Sequence, residues 1–434
     1  MTMPISAEAA SAATQSRPAV LAAAGQFTYR FFAAYFILEQ FPFPFGALPY
    51  TGWPSQLWGK VQALLFKAMG DRVLHLPSEA PSPNGSGDRA FNFVYYATFL
   101  ALALVVAAIW SALSRERPSA RARVWIAAYV RYPLAFALIG YGAYKVFPLQ
   151  FPAPGPGRLM ETVGDLSPMG LLWTFMGHSP AYQLFGGALE VLAGALLLFR
   201  RTATLGALVG AGVMGNIVML NLCYDVPVKL YSTHLLAACL FLIAPQASRL
   251  ASVLVLNRPV PAQDEPALFD SVWLRRGALV LKLLLLGTLV YGQWTGVKAG
   301  LEQRKGDAKT AFLRGLFAVE QFERKGQPVA PGDAASIRKV AIGPFNVQFK
   351  RGDDKLERQR YELDPEGKTL KLTRRGTPPV VSTLAIERPG EDALVLKGEL
   401  AGEPVRLQLR RIPADKVTLN SIPFRWINDY PDNR

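Results

Sequence analysis

Residues 124–147, VWIAAYVRYPLAFALIGYGAYKVF, and residues 181–199, AYQLFGGALEVLAGALLLF, decide the fold. Each is about as long as the roughly 20 apolar residues that carry a helix across a bilayer. Each also holds a charge that hydrocarbon disfavours: Lys145 closes the first run and Glu190 sits in the middle of the second. A charge at the bilayer centre costs about 2.5–3.5 kcal/mol on insertion scales, so it needs a partner or a purpose.

Working outward, the same pattern recurs. Further runs extend over residues 27–45, 91–113, 203–222, 230–250 and 273–297. The expectation is an all-α bundle of about seven transmembrane helices, with arginine 30, Glu39 and two prolines interrupting the first. The totals agree: 434 residues, 51% of them hydrophobic, mean hydropathy +0.19, and apolar residues concentrated before residue 298. The polar remainder is long enough for a separate domain.

Net charge is +15. In a chain with these helices, such a balance reads as loop cations facing lipid head groups, and no nucleic-acid partner is expected. Arg115, Arg117, Arg121 and Arg123 crowd one link, Arg200 and Arg201 another, and Arg249, Arg258, Arg275 and Arg276 a third. By the positive-inside bias these links are cytoplasmic. The N-terminus is then cytoplasmic, the chain's end periplasmic, and the inner membrane the location. The loop 46–89 fits this less well, being external by parity yet carrying Lys60, Lys67, Arg72 and Arg89.

The expected organisation follows. Residues 1–25, rich in Ala and Ser, read as a disordered cytoplasmic tail. Residues 26–123 hold two transmembrane helices joined by an external interfacial helix, because Leu57, Val61, Leu64, Leu65 and Ala68 recur at helical spacing. Residues 124–250 form a four-helix core. Residues 251–300 are a cytoplasmic link and the seventh helix. In 301–434, Phe312, Leu316 and Val319 suggest a short helix, followed by an antiparallel β meander: runs near 345–349, 369–372, 393–396 and 405–409 alternate apolar and polar between turn signals such as Asp364-Pro365-Glu366-Gly367. The segment 150–180 is rich in Pro and Gly, with an apolar run at 169–176 too short to span.

Topology assembles a candidate site. Lys145, Glu190, Asn216, Asn221 and His234 fall toward the outer halves of their helices, Asp225 lies just beyond the end of its helix, and one outward-facing polar pocket is expected. Lys145 and Glu190 would neutralise each other, the two asparagines would face nearly the same way, and His234 would carry protons. A structural network fixing helix packing is the competing account. Cys223 and Cys239 form no CxxC pair, and His178 and His234 make a poor axial pair for haem. No bound cofactor or metal is expected; a quinone is the lipid-soluble ligand that such a pocket would take.

Segments 124–250 resemble the four-helix core of the DoxX-like membrane proteins. Arg131 opens the first helix, IGYGAYK carries Gly142 and Lys145, FGGALEVLAGALLLF carries Glu190, and Arg200-Arg201 make the turn that follows. The resemblance implies a multi-pass bundle of the bacterial cytoplasmic membrane with Lys145 and Glu190 as its polar positions. It also implies a quinone-linked or redox-accessory module with a redox or periplasmic protein partner. A proton-coupled small-solute transporter and a non-catalytic scaffold for a periplasmic partner are the alternatives.

Overall fold

A computed structural model describes residues 7–48, 50–262, 266–305, 308–364, 366–374, 379–422 and 425. The chain divides into two compact units: residues 1–150 with 181–297, and residues 151–180 with 298–434.

The first unit is helical. Its elements are α1 (Ala7–Gln40), α2 (Trp53–Met69), α3 (Ala90–Leu113) and α4 (Ala120–Val146), then, after α5 (Pro168–His178) of the other unit, α6 (Pro180–Leu197), α7 (Ala203–Cys223), α8 (Lys229–Ile243), α9 (Ala247–Leu254) and α10 (Val272–Lys305). Among the described residues, five helices are long and apolar enough to cross a membrane: Ala90–Leu113, Ala120–Val146, Pro180–Leu197, Arg200–Cys223 and Lys229–Leu254. The last joins α8 to α9 through a tight turn at Ala244–Gln246, where Pro245 withholds a backbone N–H. Large apolar side chains lie bare on these helices, Leu100, Leu104 and Ile109 of α3 among them.

α1 starts at Ala7, inside the stretch expected to be a disordered tail; residues 1–6 lie outside the described residues. α2 lies where the helical spacing placed it. It seats Phe66 among Phe91, Tyr95 and Phe99 and leaves Leu57 and Leu64 bare. One edge thus packs on the bundle and one apolar edge faces outward.

The linker before α3 is tied down. Both carboxylate oxygens of Asp88 accept from the first amides of α8, Lys229 N at 2.8 Å and Leu230 N at 3.0 Å. A helix start leaves such N–H groups unsatisfied and attracts negative charge, and Asp88 meets both needs from another part of the chain.

The second unit is an antiparallel β-barrel. Its strands are β1 (Gly315–Arg324), β2 (Gln327–Pro328), β3 (Ile337–Ile342), β4 (Asn346–Arg351), β5 (Leu356–Leu363), β6 (Thr369–Arg374), β7 (Val380–Glu387), β8 (Ala393–Leu400) and β9 (Glu403–Ile412). Neighbours pair in order from β3 to β9, and β1 pairs with both β3 and β9, which closes the sheet. Closure removes the exposed edges that make open sheets aggregate. Alternate residues fill the interior, with Phe317, Val340, Phe349, Leu370, Leu372, Leu384, Leu396 and Leu407 all buried.

Of the short helix expected around Phe312, Leu316 and Val319, only Phe312 is helical, in a 3₁₀ helix at Ala308–Leu313. Leu316 and Val319 belong to β1, bonded on one side to β3 and on the other to β9. For Leu316 and Val319, helical spacing lost to strand pairing, with both β3 and β9 for Leu316 and with β9 for Val319. Of the expected turn 364–367, Pro365 lies outside the described residues.

Residues 151–180 belong to the barrel's unit. Met160 packs with Leu316 and Ala341. Glu161 takes Arg158 at 2.5 Å and Arg358 at 3.0 Å. The apolar run becomes α5, started by Ser167, whose hydroxyl accepts from Gly170 N, with Pro168 next.

Candidate functional site

The intramembrane charges meet because glycines let two helices touch. A Cβ on Gly142 of α4 would lie 2.6 Å from the Gly187 carbonyl oxygen of α6, and one on Gly187 would lie 2.6 Å from Lys145 Cβ. Both distances are shorter than carbon contacts allow, so only glycine fits either place. Gly194 repeats the pattern one level along, 2.8 Å from the Ala135 carbonyl oxygen. Small residues at a crossing bring backbones together. Glu190, three residues after Gly187, then reaches across.

Lys145 Nζ bonds Glu190 Oε1, with the side chains only 9% and 3% exposed. This is a closed ion pair. Each group faces one of opposite charge, which is how a buried charge survives low dielectric.

His234 is elsewhere. Its Nδ1 lies 2.9 Å from the Tyr35 hydroxyl, and its Nε2 lies 3.5 Å from Glu39 Oε2, both on α1. Glu39 also accepts from the Tyr95 hydroxyl of α3 at 3.2 Å. With Glu39 ionised, the ring would donate from Nε2 toward it and accept from Tyr35 at Nδ1; with Glu39 protonated, the opposite tautomer fits the same contacts. The ring sits in an aromatic cage. Tyr231 is nearly parallel to it at 10°, with centroids 6.1 Å apart, and Phe36 and Tyr96 stand at 5.4 and 5.9 Å. Tyr231 in turn meets Tyr141, one helical turn before Lys145 on α4, with ring centroids 5.9 Å apart.

The other expected members separate. Asn221 is buried and donates to Ser232 Oγ at 3.0 Å. Asn216 is exposed on α7. At 3.6 residues per turn, five residues rotate a side chain by about 140°, so the two asparagines do not share a face. Asp225 follows α7 with a left-handed φ of 50° and pairs with Lys229 at 2.8 Å, its side chain 83% exposed. Cys239 is buried and Cys223 exposed, and neither is bridged.

The polar set is therefore two centres, Lys145–Glu190 between α4 and α6, and Glu39–His234–Tyr35–Tyr95 between α1, α3 and α8. Sequence reading treated Glu39 only as an interruption of its helix. The usable signal was its spacing of four from Tyr35, which puts both on one face of α1.

Arg30 and Lys282 also find partners. Arg30 bonds the Glu116 carbonyl at 2.7 Å and lies over the Trp110 ring. Lys282 of α10 bonds the Leu198 carbonyl at 2.8 Å, at the C-terminal end of α6, where a cation is favoured.

No family model matches the chain. No solved structure matches it. A stretch of 73 residues is 47% identical to the uncharacterized protein YwoB of Bacillus subtilis (strain 168), covering 17% of this chain and 47% of that one. The chain thus spans about half the length of the curated relative it matches.

Proposed function

We propose that this is a multi-pass protein of the bacterial inner membrane, DoxX-like in its four-helix core, whose helical unit couples proton exchange at Glu39 and His234 to passage of a small solute. One observation carries the reading: Glu39 is held by an imidazole and a phenol. Both partners can give or take a proton, and neither carries a fixed charge. Glu190 contrasts with it, since protonating Glu190 would strand the Lys145 cation. His234 Nε2 lies 3.5 Å from Glu39 Oε2, within reach for general acid–base exchange between the two. Ionisable residues at membrane depth are functional by default.

Seven crossings fit this reading. Residues 151–180 and 298–434 form one unit, and in this reading they lie on one side of the membrane. The chain between them must cross an even number of times, which α6, α7, α8 with α9, and α10 satisfy. α1, α3 and α4 complete the set. The arginine-rich links then face the cytoplasm and the barrel's unit the periplasm.

A second reading, a quinone-linked redox accessory, draws on the aromatic cage. A planar head group stacks on rings such as those of Tyr231 and Tyr96. A periplasmic or redox partner would then supply the electrons.

Infrared titration of the full chain in lipid tests both. A carboxyl band that follows bulk pH should vanish in Glu39→Gln and persist when Lys145→Met and Glu190→Leu replace the ion pair. A band that survives Glu39→Gln overturns the proposal. A short-chain quinone that displaces the Glu39 band favours the second reading, and a pH gradient that drives solute uptake favours the first.

A further inference from the structure

Asn216 is an amide that the fold leaves bare. It lies on α7, seven residues before the helix ends at Cys223, so about 10 Å inside that end. The residue is exposed, and its side chain makes no hydrogen bond among the described residues. Asn221 of the same helix shows the alternative, buried and donating to Ser232 Oγ at 3.0 Å. α7 is long and apolar enough to cross a membrane. At that depth an outward amide meets hydrocarbon, and a side chain this short does not lift its polar end to the surface.

The surface around Asn216 is patterned. Leu205, Val209, Gly212, Asn216, Met219 and Cys223 follow one another at steps of four, three, four, three and four. At 3.6 residues per turn, all lie within about 60° of Asn216. Leu205 is 53% exposed and Met219 57%, Cys223 is exposed, and a Cβ on Gly212 would have nothing within 4 Å. Val209 is half-buried against the core. A stripe of period 3.5 is the seam of a left-handed helix pair, and one polar residue in such a seam fixes register and the number of strands. Gly212 thins the seam one turn from Asn216, as Gly142 and Gly187 thin the crossing of α4 and α6.

The stripe is complementary to itself. An amide donates through its NH2 group and accepts through its carbonyl, so two facing amides satisfy each other. Copies inserted with one topology run parallel. A twofold axis along the membrane normal then sets each residue of one α7 against the same residue of the other. A helix of different sequence would need an amide of its own at the same depth. Cys223 lies one heptad beyond Asn216, so it meets its counterpart at the end of the seam.

We propose that α7 is a dimer interface: two copies of this chain pack in parallel along this stripe, and their Asn216 amides bond to each other within the membrane. The inference needs only that α7 spans a bilayer, and it stands apart from the proton chemistry of Glu39.

The test uses the full chain. Native mass spectrometry from mild detergent, over a range of protein concentrations, reads the monomer–dimer balance. Asn216→Ala should raise the dissociation constant about 3- to 20-fold, the span of interhelical hydrogen bonds in membranes. Gly212→Leu should abolish the dimer, because bulk there holds the helices apart. Leu222→Ala should leave it unchanged, since Leu222 is 54% exposed but about 120° from Asn216. In membranes, a short bismaleimide should join the two Cys223 thiols. Cys223→Ser with Leu222→Cys should give no such product. If Gly212→Leu does not fold, Asn216→Ala and the cross-link decide. A chain that stays monomeric at every concentration and gives no Cys223 cross-link overturns the proposal. So does a dimer that Asn216→Ala leaves unchanged, or one that the Leu222→Cys variant joins as readily as Cys223 does.

Discussion

His234 Nε2 lies 3.5 Å from Glu39 Oε2, so the histidine of α8 answers to α1 and not to the Lys145–Glu190 pair of α4 and α6. The contact ties α1 to α8 through a polar bond among aromatic rings. A double-mutant cycle on Glu39→Ala and His234→Ala, read by unfolding in micelles, should give a coupling of about 0.6–1.7 kcal/mol, the range for interhelical bonds in membranes. Strict additivity would remove the contact.

The Lys145–Glu190 pair should behave as a structural unit. Glu190→Gln leaves a buried cation unpaired and should cost about 3–5 kcal/mol. Lys145→Met with Glu190→Leu removes both charges and should recover most of that loss. Thermal unfolding in detergent checks both variants, and a double variant no better than the single one would refute the pair as closed and self-contained.

Gly187 is the hinge of that geometry. Alanine there would meet Lys145 Cβ at 2.6 Å and the Gly142 carbonyl oxygen at 2.7 Å. Overpacking of this kind costs about 1–3 kcal/mol. Gly186, next in sequence, has nothing within 4 Å of its Cβ position, so Gly186→Ala is the neutral control. Unfolding midpoints should fall for Gly187→Ala and hold for Gly186→Ala.

The membrane-length runs and the barrel strands were legible because their signals are local. Apolar length finds a span, and alternation finds strands such as β8 and β9. The site was less legible because depth is readable from sequence while facing is not. Asn216 and Asn221 lie close in depth yet point apart, and His234 sits at a readable depth but turns to a helix almost two hundred residues earlier in the chain. The role of β1 was hidden for the same reason. Its partners β3 and β9 pair Leu316 with Ala341 and Ile412, about 25 and 96 residues further along the chain.

Asp88 should matter more than a linker residue does. It holds the first two amides of α8. Loss of a capping side chain costs about 0.5–2 kcal/mol. Asp88→Ala should lower the unfolding midpoint and speed cleavage within residues 77–88, while Asp88→Asn should retain part of the cap. Limited proteolysis with mass mapping reads both effects.

The barrel should carry an acid-sensitive latch at its β1–β9 seam. Glu403 of β9 accepts from Arg324 Nε of β1, and Lys325 adds a contact at 3.1 Å. The hydrogen bond from Arg324, then that from Lys325, holds the Glu403 carboxyl below the usual glutamate range. A depressed carboxylate stabilises the fold at pH above its ordinary value, about 4.3. That contribution is lost as pH falls through the lower folded value, where the folded state too becomes protonated. Glu403→Gln should therefore weaken protection of the β1 and β9 amides at neutral pH. The difference from wild type should shrink as pH falls through that lower folded value, once both proteins carry a neutral side chain. Hydrogen exchange of the full chain, corrected for intrinsic rates, measures it; a gap that stays constant with pH would show that charge at Glu403 contributes nothing to the seam.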